Sequence, residues 1–245
     1  MKRLAFHEAL GALNVGDLHP GGQAATEFLL DELAKQDPRV VLEVGAGIGN
    51  TTARMLKRGW QVVPIEPSDT LRHQLESRLG ISAHAGGFED FDSADGAYDV
   101  VLGESVFYGM DLKKAFAKVH RILRPGGLLA TLDTVWTAAA IPDVAATIHD
   151  DSKRIFGIPM ASREALTWSD WRRILAEAGF LAVVEKQIPP GSLKADKGAR
   201  WVKLRAALGQ PLALLQNLNH RRQFGRLHVP AGWTETWMAV WRRAE

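Results

Sequence analysis

The chain has 245 residues, of which 46% are hydrophobic and 24% are charged, as is ordinary for a globular protein with a sizeable core. Its net charge of +2 is too small to indicate a polyanionic partner, and the absence of cysteine excludes disulfides, thiolate metal sites and cysteine nucleophiles. No apolar run is long enough to span a membrane and no signal-peptide pattern begins the sequence, so we expect a cytoplasmic protein with no membrane partner.

Short apolar runs alternate with helical patterns through the first half of the chain, which is typical of a parallel sheet whose strands are connected by helices. The pattern predicts helices over 22–35, 50–58, 68–79 and 112–123, and strands over 40–44, 61–66, 82–85, 98–103 and 128–133. A glycine turn over 124–127 should separate the fourth helix from the fifth strand. Residues 134–166 are predicted to be helical but irregular, with breaks at Pro142 and Pro159. A helix that ends at Gly179 then precedes strands over 181–188 and 235–242.

The first strand runs directly into a glycine-rich turn and a helix. Gly45, Gly47 and Gly49 remove side chains from the turn, so a ligand can approach the backbone closely. Thr51 then opens a helix whose free N–H groups point back to the same place. The acid at the end of the strand, Glu43, is unsuited to a pyrophosphate but suited to an ammonium or sulfonium group.

Four further features follow along the chain, each at or just after the end of a predicted strand or helix. Glu66 ends the second strand beside the glycine turn, where a carboxylate can accept both hydroxyls of a ribose. The third strand is followed by the loop 86–91, the fourth strand ends at 103–105, and residues 121–129 form a helix-to-strand turn. Together with the first motif, these segments resemble the class I S-adenosylmethionine (SAM) methyltransferases.

This resemblance implies one Rossmann-like domain over 1–245, with a seven-stranded, mostly parallel sheet flanked by helices and an antiparallel last strand. Within it we expect an N-terminal cap over 1–36, a lid or acceptor region over 134–166 and a basic helical insertion over 189–230. The implied cofactor is SAM, and the residues expected to bind it are Gly21, Glu43, Gly45, Ala46, Gly47, Asn50, Thr51, Glu66, Pro67, Gly87, Phe88, Glu89, Gly103, Glu104 and Ser105.

The acceptor is predicted to be a small molecule, because no Asn/Asp-Pro-Pro-Tyr/Phe sequence of the kind used on base and glutamine amino groups follows the fourth strand. The candidate bases are His19, Tyr108 and His149, and the two acids after His149 should raise its pKa. Trp136 follows the fifth strand and is a candidate wall of the acceptor site. No metal site is expected, since histidines and acids do not occur at ligand spacings.

Two alternatives stay open at this point. A glycine turn after a strand also occurs in NAD(P)-dependent oxidoreductases, and Glu66 fits both classes. The second alternative is a non-catalytic SAM-binding module that binds a partner through the insertion 189–230. Basic residues predominate in this insertion, but its aromatic residues are too few for nucleic acid to be a favoured ligand. The segment 19–22 is either a simple turn or a cover over the cofactor. The oligomeric state is left open.

Overall fold

The computed structural model describes residues 5–13, 17, 19–189, 219 and 227–245. Within these ranges, the strands form a single seven-stranded sheet in the order β3-β2-β1-β4-β5-β7-β6. The strands are β1 (Val40–Val44), β2 (Gln61–Glu66), β3 (His84–Ala85), β4 (Tyr98–Glu104), β5 (Leu123–Trp136), β6 (Phe180–Ile188) and β7 (Thr234–Arg243). The helices are α1 (Phe6–Ala12), α2 (Gly22–Ala34), α3 (Asn50–Lys57), α4 (Asp69–Leu79), α5 (Leu112–Ile122), α6 (Pro142–Phe156) and α7 (Trp168–Glu177), with a 3₁₀ turn at Phe107–Gly109.

The sheet is parallel except for one strand. β1 pairs with β2 and β4, β2 pairs with β3, and β4 pairs with β5, all in parallel, whereas β7 is antiparallel to both β5 and β6. The predicted Rossmann-like sheet with an antiparallel last strand is therefore confirmed. Because the chain leaves β1 toward β3 and returns to the other side of β1 as β4, a crevice opens at the carboxyl ends of β1 and β4.

Both faces of the sheet are covered by helices. On one face, α5 and α7 bury Phe116 and Trp171 against Leu42 and Leu129. On the other face, α2 buries its leucines against neighbouring strand residues such as Val41. Adjacent residues of one strand point to opposite faces, so strands covered on both sides are apolar at nearly every position.

The turn over 124–127 differs from the prediction. Tyr98 of β4 pairs with Leu123, whereas Val100 pairs with Leu128, so the four residues between them form a bulge inside β5. Gly126 has a φ of 73°, which lets the chain leave the sheet and rejoin it. The fifth strand thus begins earlier than expected and continues to Trp136.

Other boundaries also shift. β3 is reduced to His84–Ala85, and the sequence pattern gave no indication of α1. The predicted irregular region contains α6, which Pro142 begins and Gly157 ends at a φ of 83°. Most of the predicted insertion 189–230 lies outside the described residues.

Candidate active site

A cavity of about 430 Å³ occupies the crevice at the carboxyl ends of β1, β2 and β4. Its floor is the turn that follows β1, where Gly45, Gly47 and Gly49 have φ values of 72°, 57° and 78°. The backbone N–H groups of Gly45 and Ala46 donate to the carbonyl oxygen of Ile65, at 2.9 and 3.0 Å, which fixes the turn against β2. The turn therefore presents bare backbone to the cavity, as the sequence predicted.

The glycines of this turn serve different purposes. A Cβ built on Gly45 would lie 2.4 Å from Val106, so close packing excludes a side chain there. A Cβ on Gly47 has no atom within 4 Å, although Gly47 lines the cavity. The absence of a side chain at Gly47 thus enlarges the ligand space and is not needed for packing.

Glu66 ties the end of β2 to this turn. Its Oε2 accepts the backbone N–H of Gly47 at 2.8 Å, and its Oε1 accepts that of Ser68 at 2.8 Å. Burial raises the pKa of the Glu66 carboxyl, and these two backbone hydrogen bonds partly oppose that rise. The carboxylate is held in one orientation at the cavity wall, with lone pairs left for a ligand.

Two further carboxyl groups, Glu43 and Glu104, lie beside the first turn of α3. The hydroxyl of Thr52 donates to Glu43 at 2.5 Å, while the hydroxyls of Thr26 and Thr51 donate to the two oxygens of Glu104 at 2.7 Å each. Burial raises the pKa of Glu43 to about 8, and the charge of Glu104 adds to this effect. Carboxyl groups this close in a buried site favour a positively charged ligand group.

His19 completes this end of the cavity. Its Nε2 lies 3.1 Å from the hydroxyl oxygen of Thr26 and 3.6 Å from Glu104 Oε1. Since the Thr26 hydroxyl donates to Glu104, Nε2 of His19 is the donor to Thr26. The segment that precedes α2 is therefore attached to β4 through side chains, and His19 and Pro20 line the cavity.

A second cavity of about 190 Å³ adjoins the first and shares several lining residues with it, among them Gly45, Pro67 and Ser105. Its far wall is the loop after β3, from which Gly87, Phe88 and Glu89 line the space. Lys118 of α5 holds this loop. Its ammonium donates to the carbonyl oxygens of Phe88 and Glu89 at 2.6 and 2.9 Å and lies 5.0 Å from the Phe88 ring centre.

Tyr108 lies between the two cavities and lines both. Burial raises the pKa of its hydroxyl above the ordinary value, and the buried carboxyl of Asp133 adds to the rise. A phenol with a raised pKa keeps its proton near neutral pH, so Tyr108 is suited to donate a hydrogen bond and not to act as the base that the sequence suggested.

Most of the predicted cofactor residues meet at these two cavities. Those that line them are Glu43, Gly45, Ala46, Gly47, Asn50, Thr51, Glu66, Pro67, Gly87, Phe88, Glu89, Glu104 and Ser105. Gly21 and Gly103 are not among the lining residues. Gly21, at a φ of 81°, lies against Ala25 and Ile188, and a Cβ on Gly103 would collide with Phe107 and Val106. These two glycines permit close packing.

The predicted wall of the acceptor site, Trp136, and the candidate base His149 both lie away from the cavities. Trp136 is fully buried, its indole N–H donates to the carbonyl oxygen of Ser162 at 2.6 Å, and it packs in a separate cluster with Ala145 and Ile148. His149 is also buried, with Nδ1 at 2.8 Å from the carbonyl oxygen of Ala161. Trp136 thus attaches the loop after α6 to the sheet and His149 attaches α6 to the same loop, so neither side chain lines the two cavities.

Apart from Tyr108 and the general assignment of 134–166 to an acceptor region, the sequence did not single out the residues that form the outer wall of the first cavity. This wall is formed by α1, the end of α6 and the loop after it, with Thr134 and Val106 beneath; the lining residues are Phe6, His7, Val106, Tyr108, Thr134, Phe156, Ile158, Pro159 and Met160. Asp17 was also missed; it accepts two hydrogen bonds from Arg54, each of 2.9 Å. No motif marks these residues, because they come from segments far apart in the chain.

The chain is similar to known methyltransferases over its central part. Residues 42–131 match the family described as "Methyltransferase domain". A relative from Bacillus subtilis, "Uncharacterized methyltransferase YodH", is 24% identical over 71% of the chain and 74% of its own length. A second, "Uncharacterized methyltransferase Rv3342" from Mycobacterium tuberculosis, is 34% identical over 51% of the chain. The chain spans only 50% of that relative.

Among solved structures, the geranyl diphosphate C-methyltransferase of Streptomyces coelicolor, determined with Mg²⁺, geranyl-S-thiolodiphosphate and S-adenosyl-L-homocysteine, has a TM-score of 0.62 at 16% identity. The alignment covers 91% of this chain and 76% of that one, which shows a shared fold. The family match spans β1 to β5, which carry the glycine turn, Glu43 and Glu66. Residues 42–131 are therefore similar to a methyltransferase domain, and the chain shares the fold of SAM-dependent methyltransferases.

Proposed function

We propose that this protein is a SAM-dependent methyltransferase that moves the methyl group of SAM to an O, N or C atom of a small, largely apolar acceptor. One observation carries the proposal: the acid-lined half of the cavity, at the strand ends, opens directly into an apolar half between α1 and the loop after α6. A bound cofactor and an acceptor would thus share one cavity, as in-line transfer between them requires.

The residues present fit SAM. Glu66 is fixed at the end of β2 with free lone pairs, as the two hydroxyls of a ribose require. Glu43 and Glu104 supply negative charge for the ammonium and sulfonium groups. Phe88 and Glu89 line the adjoining cavity where an adenine would lie. The bare backbone at Gly47 leaves room for the chain between these ends.

When bound, SAM supplies a methyl group on a positively charged sulfur. The protein's own residues hold the two reactants in line and keep water away. Val106, Ile158, Pro159 and Met160 supply apolar surface near the strand ends, while Tyr108 and Thr134 offer hydroxyl groups that orient an acceptor. The predicted base His19 faces Glu104 and Thr26 at the cofactor end, so we assign it to closing that end of the site.

The test begins with calorimetric titration of SAM, S-adenosylhomocysteine and NADP into the purified protein. We expect the first two to bind and NADP not to bind. The protein is then incubated with methyl-tritiated SAM and a cell extract filtered to remove macromolecules. Label should move into a small organic product, and a Glu66→Ala variant should lose this transfer.

Three results would count against the proposal. NADP binding in place of SAM would indicate the oxidoreductase. SAM binding with label transfer only to protein or RNA would exclude a small-molecule acceptor. Cofactor binding without any transfer, together with salt-sensitive binding of a macromolecule, would favour the non-catalytic module, whose proposed contact lies in 189–230 and mostly outside the described part of the chain.

A further inference from the structure

Acids predominate among the charged side chains that line the first cavity. The described lining residues include four of them, Asp17, Glu43, Glu66 and Glu104. They include no lysine or arginine, and their titratable nitrogens are those of His7 and His19. The charge of a ligand should therefore have a large effect on its affinity for this cavity.

Two of the four acids have a basic partner within the protein. Arg54 of α3 donates to both oxygens of Asp17 at 2.9 Å each, and its Nε lies 3.2 Å from Glu27 of α2. Glu104 lies 3.6 Å from Nε2 of His19. Because Arg54 is shared between two acids, it leaves no surplus positive charge for the cavity.

Glu43 and Glu66 have no such partner. Their side chains belong to residues that are only 3% and 4% exposed. Within the described residues, they accept hydrogen bonds from the hydroxyl of Thr52 and from the backbone N–H groups of Gly47 and Ser68, none of which carries a charge. Buried carboxylates are normally paired with a cation, so a ligand that fills this part of the cavity is expected to supply one.

The lack of a cation is also seen in the acidity of Glu43. Burial raises its pKa to about 8, and the charges of Glu104 and Glu66 add to the rise, while the hydrogen bonds from Thr52 oppose it. The charged neighbours that act on Glu43 are thus both acids. A positively charged ligand group beside them would favour the carboxylate form, whereas a neutral group would not.

Methyl transfer changes the charge of the cofactor that the protein is proposed to bind. SAM has an ammonium, a sulfonium and a carboxylate group, and therefore one net positive charge. When the carbon–sulfur bond breaks, its electron pair stays on sulfur, so S-adenosylhomocysteine has no net charge. The substrate and product forms of the cofactor otherwise differ only by the methyl group.

We propose that this acid-lined cavity distinguishes the two forms by the charge on sulfur, so that the protein binds SAM more tightly than S-adenosylhomocysteine. The inference rests on the proposed function and adds how the same site releases its product. Loss of the positive charge removes an attraction to the carboxylates at the moment of transfer. The product is then held less tightly than the next SAM molecule, and inhibition by the product is weak.

A binding experiment without an acceptor tests this selectivity. SAM, S-adenosylhomocysteine and sinefungin, which has an ammonium group in place of the sulfonium, are titrated separately into the wild type at pH 8. SAM should bind about tenfold more tightly than S-adenosylhomocysteine, as expected for a unit charge near partly buried carboxylates. Sinefungin should share this advantage, because it shares the positive charge.

Glu43→Gln tests whether the acids cause the preference. The glutamine keeps an oxygen that can accept the hydrogen bond from Thr52, but it removes one carboxylate from the cavity. The preference for SAM and for sinefungin should fall to about threefold or less. Glu164→Gln, on an exposed loop outside the cavity, is the matched control and should keep the wild-type preference.

The outcomes separate this inference from the proposed function. If neither SAM nor S-adenosylhomocysteine binds the wild type, the proposed function fails and takes this inference with it. If both bind and S-adenosylhomocysteine binds as tightly as SAM or more tightly, the inference alone is overturned. A preference for SAM that sinefungin does not share, or that Glu43→Gln keeps in full, would also overturn it. Circular dichroism checks that the variants fold, and the wild-type comparison decides the matter if Glu43→Gln does not.

Discussion

The carboxyl group of Glu43 is buried, and we expect its protonation to be coupled to cofactor binding. Burial raises its pKa to about 8, so this carboxyl group is mainly protonated at pH 7 in the free protein. A bound ammonium or sulfonium group favours the carboxylate and lowers this pKa again. The buried acid thus gives a measurable electrostatic test of the proposed cofactor position.

We predict that SAM binding at pH 7 releases nearly one proton per site, and that affinity rises as the pH approaches about 8. Calorimetry in phosphate and in Tris buffers should give different apparent enthalpies, and Glu43→Gln should abolish the difference. Equal enthalpies in both buffers for the wild type would place the cationic groups of the cofactor elsewhere.

The same residue affects the stability of the free protein. Its pKa is about 8 in the folded chain against a reference value of 4.5, so its stabilising contribution is complete below pH 4.5 and is lost as the pH rises through 8. The free energy of unfolding of Glu43→Gln should therefore fall less steeply than that of the wild type between these two pH values. Denaturant unfolding at a series of pH values measures this; parallel curves would contradict the raised pKa.

Glu66 should hold the ribose. Replacing it with Ala removes a charged acceptor and should weaken SAM binding by about 1.5–3 kcal/mol. Calorimetric titration measures the loss, and Glu164→Ala, on an exposed loop, serves as the control. Unchanged affinity in Glu66→Ala would remove this residue from the site.

Two glycines of the turn between β1 and α3 differ in their surroundings: Gly47 borders the open cavity, whereas Gly45 is packed against Val106. Gly47→Ala places a methyl group in the open cavity at a φ of 57° and should cost about 1–2 kcal/mol of stability from backbone strain, while also reducing SAM affinity. Gly80→Ala, at a φ of 68° with open space around it and no place in the cavity, has the same strain. Thermal shift with and without SAM compares them; an equal ligand-induced shift in both variants would show that Gly47 does not face the cofactor.

The loop after β3 depends on α5 for its position. Lys118→Ala removes two charged hydrogen bonds to the loop and should lower SAM affinity by about threefold to tenfold, because the loop must then be ordered by the cofactor. Hydrogen exchange of residues 87–91 should become faster in the free variant. Lys114→Ala, on the exposed side of the same helix, should leave both measurements unchanged, and similar effects in the two variants would contradict this role.

At the scale of the whole molecule, α1 joins the proposed cofactor site to the proposed acceptor wall. Glu8 binds the hydroxyl of Ser68, and the N–H of Ser68 binds Glu66, so a ligand on Glu66 and the outer wall share one hydrogen-bond chain. We predict that S-adenosylhomocysteine increases the hydrogen-exchange protection of residues 5–13 and 19–24. Exchange unaffected by saturating ligand would mean that α1 packs independently of the cofactor.

The sequence by itself determined the sheet and the acid-lined half of the cavity. Parallel strands end at one edge, so a glycine turn after β1 and acids at the ends of β1 and β2 come together wherever the other segments lie. Periodicity and a strand-end position are local properties, and they were sufficient to place Gly47, Glu43 and Glu66. Seven residues of α1 are too few for a periodic pattern to be recognised.

Only the tertiary structure decided which residues line the outer half of the cavity. Trp136 and His149 have the chemistry of a ligand wall, but packing between α6 and the sheet buries Trp136 in a separate cluster and holds His149 against the carbonyl oxygen of Ala161. The wall is instead formed by α1 and by the end of α6 with the loop after it. The ring pair Phe6–Phe156 joins α1 to α6, and the absence of a side chain at Gly11 lets α1 pack on Leu71 of α4. The direction of a side chain outside a regular sheet is set by neighbours that are distant in the chain, and no local pattern specifies them.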